Sequence, residues 1–375
     1  TTTITTTQSP VPTETMTTTI TTTNSPVPTE TITTTMTTTP SMTTSPEPTE
    51  TITTTMTTTP SMTTSPSVPV VILSNTEVFS YTGDYQEFLV PQNTTGTIRA
   101  YVWGAAGGGG IHGRGGAGGF SKGDITVTGG ETLYVIVGQG GKTRAASGSQ
   151  RHNGAGGGVS GITSEWSTID IASTHGGSII MAGAGAGGGN QSTNGHGASG
   201  GGSSGGAIFT AHKPGTQFAG GVWPGPRLNS NNATHGTSGS YFRGGIGGGN
   251  DRQAGESGWP NEAWGSIWAT SGGGGGMNAA GGGGGYYGGC GGTDWQNNNS
   301  TARNGGSGAG GSGYIGGDST HTVSNASTSG TNLSGSANNP PGTGSDGDGH
   351  YVSGVGVPTQ ANTTIGARAG NGLVV

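Results

Sequence analysis

Between residues 67 and 137, apolar and polar residues alternate over short stretches that turn-forming residues separate. Ile98, Ala100 and Val102 show this alternation, and the same spacing recurs at Leu133 and Val135. A period of two is typical of β-strands that bury one face. The predicted strands are Val68–Leu73, Val78–Tyr81, Gln86–Val90, Thr97–Trp103, Gly119–Lys122, Asp124–Thr128 and Glu131–Val137. Their short connections predict a small antiparallel sandwich.

After residue 137, apolar residues are confined to short islands between runs of glycine. The islands are Ser178–Ala182, Ala207–Thr210, Tyr286-Tyr287, Gly313–Gly317 and Leu373–Val375. We expect them to be strands that return to the same sandwich. The runs between them, such as Gly281–Gly285, offer no side chain to bury, so they order only if their backbone groups bond to neighbouring backbones. Because polyglycine favours an extended threefold helix, the runs are predicted to form closely packed rods or loops.

Residues 1–66 have a different composition, rich in threonine and proline and without glycine. Thr1–Met16 reads TTTITTTQSPVPTETM, Thr17–Ile32 nearly repeats it, and two further copies begin at Thr33 and Thr53. Threonine and proline disfavour helix, so this repeat is predicted to be an extended arm, polyproline-II-like or β-like. The chain therefore divides into an arm, residues 1–66, and a glycine-rich domain, residues 67–375.

The arm has the composition of O-glycosylated stalks, and threonines such as Thr1, Thr17, Thr33 and Thr53 are its predicted attachment sites. A long arm without a core becomes ordered when it lies along neighbouring copies of the same protein. Its apolar residues would then be interface residues, and these are Ile4, Ile20, Met36 and Met56. The alternative is a flexible, glycosylated spacer.

The overall composition narrows the classes of partner. Only 27% of the 375 residues are hydrophobic and 8% are charged, with a net charge of −6. The 12 Lys and Arg residues are scattered, which argues against nucleic acid. No apolar run approaches the roughly 18 residues of a membrane span.

Sequons for N-glycosylation favour a secreted glycoprotein. They occur at Asn93, Asn190, Asn232, Asn298, Asn299, Asn325, Asn332 and Asn362. The chain begins inside a repeat, so we expect a mature or truncated product. Cys290 is the single cysteine and permits no internal disulfide. It is interpreted as a small buried thiol or as one half of a disulfide between subunits.

Several motifs resemble chemical sites without the context that such sites need. Gly113-x-Gly115-x-x-Gly118 matches the sequence pattern of a dinucleotide-binding fingerprint, but no helix is predicted after it. The stretch around Ser199 matches the sequence pattern of a nucleophile elbow. It lacks the flanking strand and helix that such an elbow needs. Asp346, Asp348 and His350 are interpreted as an exposed turn, with a hard-cation site as the alternative. No metal or cofactor is predicted, and the protein is not expected to be an enzyme.

Three tryptophans form a cluster in the sequence at Trp259, Trp264 and Trp268. Large aromatic side chains in a core-poor protein are expected to cap the ends of the glycine rods and exclude water. The alternative roles for these tryptophans are a subunit interface or a platform that stacks against a ligand.

The ordered set of glycine-rich blocks resembles a known domain. FSYTGDYQEFLVP at Phe79–Pro91 precedes IRAYVWGAAGGGG at Ile98–Gly110, and GGGGGYYGGCGG at Gly281–Gly292 precedes GGSGYIGG at Gly310–Gly317. This order is similar to the glycine-rich domain of the anaplastic lymphoma kinase and leukocyte tyrosine kinase receptors, and to secreted microbial glycine-rich proteins. The resemblance covers about residues 77–375. It implies a jelly-roll-like β-sandwich whose long insertions form a bundle of polyglycine-II helices, and a rigid extracellular module.

The sequence therefore favours a secreted structural glycoprotein that assembles with copies of itself into an extracellular filament, with the arm linking neighbours. An adhesin or receptor-type module on a mucin-like stalk, which would bind a cell-surface or matrix protein, is the second hypothesis. Ice binding is a third, although the threonine spacing lacks the regularity that a flat ice face requires.

Overall fold

The computed structural model describes a defined part of the chain, whose residues fall into two compact units within Thr1–Ile72 and Leu73–Val375. The described residues are 15–22, 30–37, 76–145, 152–167, 171–189, 195–207, 213–222, 238–245, 247, 279–292, 294–296, 303–330, 349–364 and 366–375.

The first unit contains a two-stranded antiparallel ribbon. Its strands are β1 (Thr15–Thr22) and β2 (Glu30–Thr37), and the register places Met16 opposite Met36 and Ile20 opposite Ile32. The β-branched threonines favour extended backbone, and consecutive repeats of one chain need only a short loop to meet. Each strand spans the junction of two repeats, and its partner belongs to the same chain. The sequence hypothesis placed a neighbouring copy along the arm. Ile4 and Met56 lie outside the described residues.

In its described residues, the second unit consists of strands with one short helix. In chain order the elements are β3 (Gln86–Leu89), β4 (Thr95–Trp103), β5 (Phe120–Thr128), β6 (Thr132–Ile136), β7 (Thr143–Ala145), β8 (His152–Gly154), β9 (Ser160–Thr163), α1 (Ile171–Gly176), β10 (Ser178–Ala182), β11 (Asp294–Gln296), β12 (Arg303–Gly305), β13 (Val323–Ser329) and β14 (Leu373–Val374). The all-β prediction is confirmed, because antiparallel strands make up nearly all of the regular structure described.

Two four-stranded antiparallel sheets organise this unit. One has the order β13-β5-β4-β14 and the other β10-β9-β6-β3, while β7-β8 and β11-β12 are separate two-stranded pairs. Side chains from both sheets meet in one buried cluster, which includes Val102 and Ile125 from the first sheet and Leu133, Val135 and Ile180 from the second. In β4 and β6, apolar residues alternate with polar ones. Because successive side chains of a strand point to opposite faces, this alternation directs the apolar side chains of these two strands into the cluster.

The glycine-rich segments leave the sheets at neighbouring strand ends. Trp103, the last residue of β4, pairs with Phe120, the first residue of β5, so residues 104–119 project beyond this strand pair. The end of β6 is likewise paired with the start of β9 through Ile136 and Gly161. The last residue of β10 pairs with Ser160. The sheets therefore act as a base from which the glycine-rich segments project.

Several predicted strands differ from those observed. Val78–Tyr81 contributes only an isolated bridge from Phe79 to Val374, and the Gly313–Gly317 island only a bridge from Tyr314 to Met181. The predicted strands Gly119–Lys122 and Asp124–Thr128 belong to a single strand, β5. The polar strand β13 was not predicted, because its sequence VSNASTS has no apolar alternation to signal it. Val68–Leu73 and residues 208–210 lie outside the described residues.

The shared core makes a direct prediction about stability. Ile125→Ala should lower the free energy of unfolding by about 2–5 kcal/mol, because Ile125 is fully buried between the sheets. Leu89→Ala is the matched control, since Leu89 is 62% exposed, and it should change stability by no more than about 0.5 kcal/mol. Urea denaturation followed by tryptophan fluorescence measures both. Equal losses in the two variants would contradict the assignment of the core.

Candidate functional site

The largest feature outside the sheets is a set of glycine-rich segments that bond to one another through their backbones. We call this set the glycine network. Its principal segments are 104–119, 154–158, 183–189, 195–202, 281–292 and 306–313. Nearly all of their residues are buried, although most have no side chain beyond a methyl group.

Residues 183–189 show how the network is organised. Successive N–H groups donate in turn to three neighbouring segments, and the sequence of partners then repeats, with N···O distances between 2.6 and 3.0 Å. From donor to acceptor, the bonds are Ala184 to Gly284, Gly185 to Ala105, Ala186 to Ala198, Gly187 to Gly281, Gly188 to Gly108 and Gly189 to Gly195. Each neighbouring segment therefore receives a bond from every third residue.

The carbonyl groups of the same residues follow the same rule toward three other stretches of chain. From donor to acceptor, the bonds are Gly311 to Ala184, Gly157 to Gly185, Gly116 to Ala186, Gly308 to Gly187, Gly154 to Gly188 and Gly113 to Gly189. Segment 183–189 is therefore surrounded by six bonded stretches, three that accept and three that donate. Both backbone groups of Ala184 through Gly189 are satisfied although no helix or sheet ladder is present there.

Glycine is required in this network because the backbones approach too closely for a side chain. A Cβ atom on Gly185 would overlap the carbonyl of Gly116, and one on Gly187 would overlap that of Gly154. In segments 104–119, 183–189, 281–292 and 306–313 no glycine has a positive φ, so left-handed backbone is not the reason for glycine here. The relevant property is the absence of Cβ.

A cluster of aromatic rings lies where the network meets α1. His175 from α1 stacks on Tyr286, with ring centroids 4.0 Å apart, and Tyr286 stacks on Tyr314, also at 4.0 Å. Tyr241, Phe242 and Tyr287 also contact the imidazole ring. Such offset and edge contacts each stabilise by about 0.5–1.5 kcal/mol beyond simple burial.

This aromatic cluster favours neutral side chains. Burial lowers the pKa of His175 to about 4, although a hydrogen bond with the Tyr286 backbone opposes the shift. Burial also raises the pKa values of Tyr286, Tyr287 and Tyr314. The Nε2 atom of His175 is buried without a hydrogen-bond partner among the described residues. These pKa shifts favour the neutral forms of His175 and of the three tyrosines, so this part of the cluster resembles a packing core.

A separate cluster, made of polar side chains, joins three loops near the sheet ends. Asp318 accepts hydrogen bonds from the Ser164 hydroxyl and from the backbone N–H of His321. The His321 ring lies between two carboxylates, with Nδ1 3.0 Å from Asp318 and Nε2 3.3 Å from Glu131. Burial alone would raise the pKa of Asp318, but the hydrogen bonds from Ser164, His321 and Thr320 lower it to about 2. The cluster fastens the β5–β6 turn to the loops before α1 and β13.

Cys290 lies inside the glycine network. Its side chain is fully buried, and burial raises the pKa of its thiol to about 11. Ala309 donates to the Cys290 carbonyl, so at this residue segment 281–292 is bonded to segment 306–313. A disulfide to another subunit would require this part of the network to open.

The structure describes some of the other predicted site residues. Asn93, Asn325 and Asn362 are exposed, while Thr17 lies in β1 and Thr33 in β2. The remaining predicted residues lie outside the described part of the chain, and they are Thr1, Thr53, Asn190, Asn232, Asn298, Asn299, Asn332, Trp259, Trp264 and Trp268.

Two of the three stretches that resemble chemical motifs lie in the glycine network. Gly113, Gly115 and Gly118 belong to the network segment that follows β4. Ser199 is buried in the network, where its backbone carbonyl accepts from Gly206. His350 lies against Tyr101, with ring centroids 4.9 Å apart, and Asp346 and Asp348 lie outside the described residues.

Comparisons with known proteins give no family for the chain. No protein-family model matches it, and no curated protein matches it. Within the described ranges, no group of His, Cys, Asp or Glu side chains converges to hold a metal ion. The same residues contain no helix with the length and apolar character needed to cross a membrane.

The close backbone approach in the network predicts an unusual sensitivity to a single methyl group. Gly185→Ala should lower the free energy of unfolding by about 3 kcal/mol or more, because the new Cβ collides with backbone and not with a flexible side chain. Gly176→Ala is the matched control, since a Cβ at that end of α1 meets nothing within 4 Å. Thermal unfolding measured by circular dichroism compares the two. A Gly185→Ala protein as stable as the control would show that the network tolerates side chains.

The Asp318 cluster predicts a specific dependence on pH. Because the folded pKa of Asp318 lies below the unfolded value of about 3.9, its ionised form contributes stability above about pH 4 that is lost as the pH falls toward 2. Asp318→Asn should therefore cost about 2 kcal/mol at pH 7 and progressively less below pH 4. Asp84→Asn, at an exposed turn, is the control. Urea denaturation at pH 7, 4 and 2.5 tests this. A deficit in the Asp318→Asn variant that does not shrink with acid would contradict the assignment.

Proposed function

We propose that this protein is a secreted structural glycoprotein that assembles with copies of itself into an extracellular filament. The glycine-rich domain would form a stiff bead, and the threonine-rich arm would link one bead to the next. The observation that carries this proposal is the glycine network, in which a large part of the domain is held by backbone hydrogen bonds.

The repeat of partners every third residue supports interpreting the network as a bundle of polyglycine-II helices. Such a helix has about three residues per turn and no internal hydrogen bonds, so it returns to the same neighbour every third residue. Six surrounding stretches, as found for segment 183–189, are what close packing of parallel rods would give. A body cross-linked in six directions resists bending, which suits a mechanical role.

The two sheets support a jelly-roll-like sandwich as the base of this bundle. Their side chains share one core cluster, and the glycine-rich segments leave from neighbouring strand ends. This arrangement agrees with the resemblance to the glycine-rich domain of the anaplastic lymphoma kinase and leukocyte tyrosine kinase receptors. We propose that the chain shares the architecture of that domain and its role as a rigid extracellular module.

The arm supplies the proposed link between beads. The ribbon β1-β2 supports this link, because in it two stretches of the threonine-rich arm pair with each other as antiparallel strands. In a filament the same pairing would form between repeats of different chains, as strand exchange between identical elements. Glycans on the threonines and on exposed asparagines such as Asn93 and Asn362 would protect the filament and keep it soluble.

The second candidate is an adhesin or receptor-type binding module on a mucin-like stalk, and one observation favours it. Phe218 is 88% exposed, and Val222 and Tyr241 are also exposed. Gly221 bonds to Gly288 and Gly239 bonds to Gly221, so these residues belong to one region of the network. Exposed aromatic and aliphatic side chains at a rigid surface are typical of protein interaction sites.

Removal of the arm tests the leading proposal. The full chain should form regular filaments visible by negative-stain electron microscopy, whereas a chain lacking residues 1–66 should give single folded particles. A chain in which residues 1–66 are replaced by a Gly-Ser sequence of equal length controls for the loss of mass and reach. The arm hypothesis is wrong if the truncated chain forms the same filaments. Monodisperse particles from the full chain would favour the binding module.

A further inference from the structure

Tyr241 and Tyr287 lie side by side on two stretches of backbone that are distant in the chain. An isolated antiparallel bridge pairs the two residues, and their ring centroids are 5.1 Å apart with the ring planes inclined by 46°. Residues directly opposite each other in an antiparallel pair bring their side chains into contact. The folded chain therefore holds two phenol rings against each other.

Backbone hydrogen bonds fix the position of this pair. Gly288 donates to the Ser240 carbonyl at 2.9 Å, and Gly245 donates to the Gly289 carbonyl at 2.7 Å. The backbone is thus bonded to the glycine network on both sides of Tyr241. A reaction between the two rings would need little additional ordering, because the fold has already brought them together.

The two phenol groups also interact with each other. Burial raises the pKa of the Tyr287 phenol, and a hydrogen bond with the Tyr241 phenol raises it further. Such a bond places the two oxygens next to each other. When two phenols are joined through the ring carbons beside their hydroxyls, the two oxygens flank the new bond and are neighbours in the same way. The observed contact therefore resembles the product of this coupling.

Tyr241 is also the most accessible tyrosine of the aromatic cluster. It is 37% exposed, whereas Tyr286, Tyr287 and Tyr314 are half-buried. Tyr286 and Tyr314 touch as well, but their rings are stacked with planes only 11° apart. A bond between two ring carbons lies in the plane of both rings, so this stacked pair would have to separate before it could couple. The pair of Tyr241 and Tyr287 combines suitable contact with access for an oxidant.

We propose that Tyr241 and Tyr287 form a modification site, at which a peroxidase and hydrogen peroxide join the two rings into a dityrosine cross-link. The inference rests on the proposed secretion of the protein, because an extracellular chain is not protected by cytosolic thiol reductants. Cys290 is the single cysteine, so the chain has no internal disulfide. The dityrosine bond would supply the covalent tie that a disulfide cannot.

The coupling is a two-electron oxidation. Each phenol loses one electron and its hydroxyl proton to become a phenoxyl radical, whose unpaired electron is shared with the Cε carbons beside the oxygen. One Cε of Tyr241 bonds to one Cε of Tyr287. Each of these carbons then loses its hydrogen as a proton, and each oxygen regains one. Two electrons and two protons reduce hydrogen peroxide to two water molecules as its O–O bond breaks.

The cross-link would stabilise the glycine-rich domain. It closes a loop that contains all residues between 241 and 287, and closing a loop removes conformations from the unfolded chain. By analogy with disulfides that close loops of this size, we expect the midpoint of thermal unfolding to rise by about 5 °C or more.

The test treats the full-length chain with hydrogen peroxide and a haem peroxidase. Dityrosine fluorescence measures the yield, and mass spectrometry of proteolytic peptides identifies which tyrosines are joined, since a linked pair is lighter by two hydrogens. An equal mixture of ordinary and nitrogen-15-labelled chains is oxidised together. Links within one chain then join only peptides of the same label, whereas links between chains also join light to heavy peptides.

Three variants complete the design. Tyr241→Phe and Tyr287→Phe each remove one phenol and keep the ring. Tyr85→Phe is the matched control, because Tyr85 contacts another tyrosine, Tyr134, with ring centroids 5.7 Å apart. Thermal unfolding of the oxidised natural chain is compared with that of the oxidised Tyr241→Phe chain, which separates the effect of the link from other oxidation.

We expect the natural chain to give a linked peptide pair that contains Tyr241 and Tyr287 and carries a single label. Tyr241→Phe and Tyr287→Phe should each lower the dityrosine yield at least about tenfold, because the pre-positioned partner is lost. Tyr85→Phe should match the natural chain in yield. The oxidised natural chain should unfold at a higher temperature than the oxidised Tyr241→Phe chain.

Three results would overturn the inference: no link between Tyr241 and Tyr287, an undiminished yield from Tyr241→Phe, or links that mostly join light to heavy chains. Failure of the filament proposal has a different signature. In that case electron microscopy finds no filaments in any variant, while the link within one chain still forms.

Discussion

The architecture of this protein depends on backbones that approach each other without an intervening Cβ atom. In the glycine network, N–H and C=O groups from neighbouring segments bond directly, and the positions of closest contact are those where a methyl group would collide with a carbonyl. Glycine loses the most conformational entropy on folding, so an isolated run would not become ordered. Only the mutual bonding of many segments offsets this cost, which makes the network cooperative by necessity.

The two sheets supply what the network lacks. Their shared core, with residues such as Ile125 and Ile180, buries apolar side chains in the usual way and fixes the strand ends from which the glycine-rich segments depart. The aromatic cluster around His175 and the Asp318 cluster then join network, helix and loops at particular points. The domain thus combines a small hydrophobic core, which fixes the positions of the strands, with a large region held by backbone hydrogen bonds.

The same physics governs the edges of the structure and bears on the proposed assembly. A protein held together by backbone hydrogen bonds must control its unpaired backbone groups, because each is a possible point of association. In the proposed filament the arm is such an element, because its repeats offer similar strands to neighbouring copies.

The sequence alone predicted the all-β class, the alternating strands β4 and β6, and the need for glycine runs to bond sideways, because these follow from local periodicity and from the absence of side chains. It did not predict β13, whose polar residues give no signal, or the ribbon within the first unit, whose partner the repeat leaves open. The clusters around His175 and Asp318 were also missed, since each brings together residues that lie more than a hundred positions apart in the chain, as His175 and Tyr286 do. Only the tertiary structure decides which glycine segment lies beside which, because segments of nearly identical composition offer the same donors and acceptors, and their order is set by the strands that anchor them.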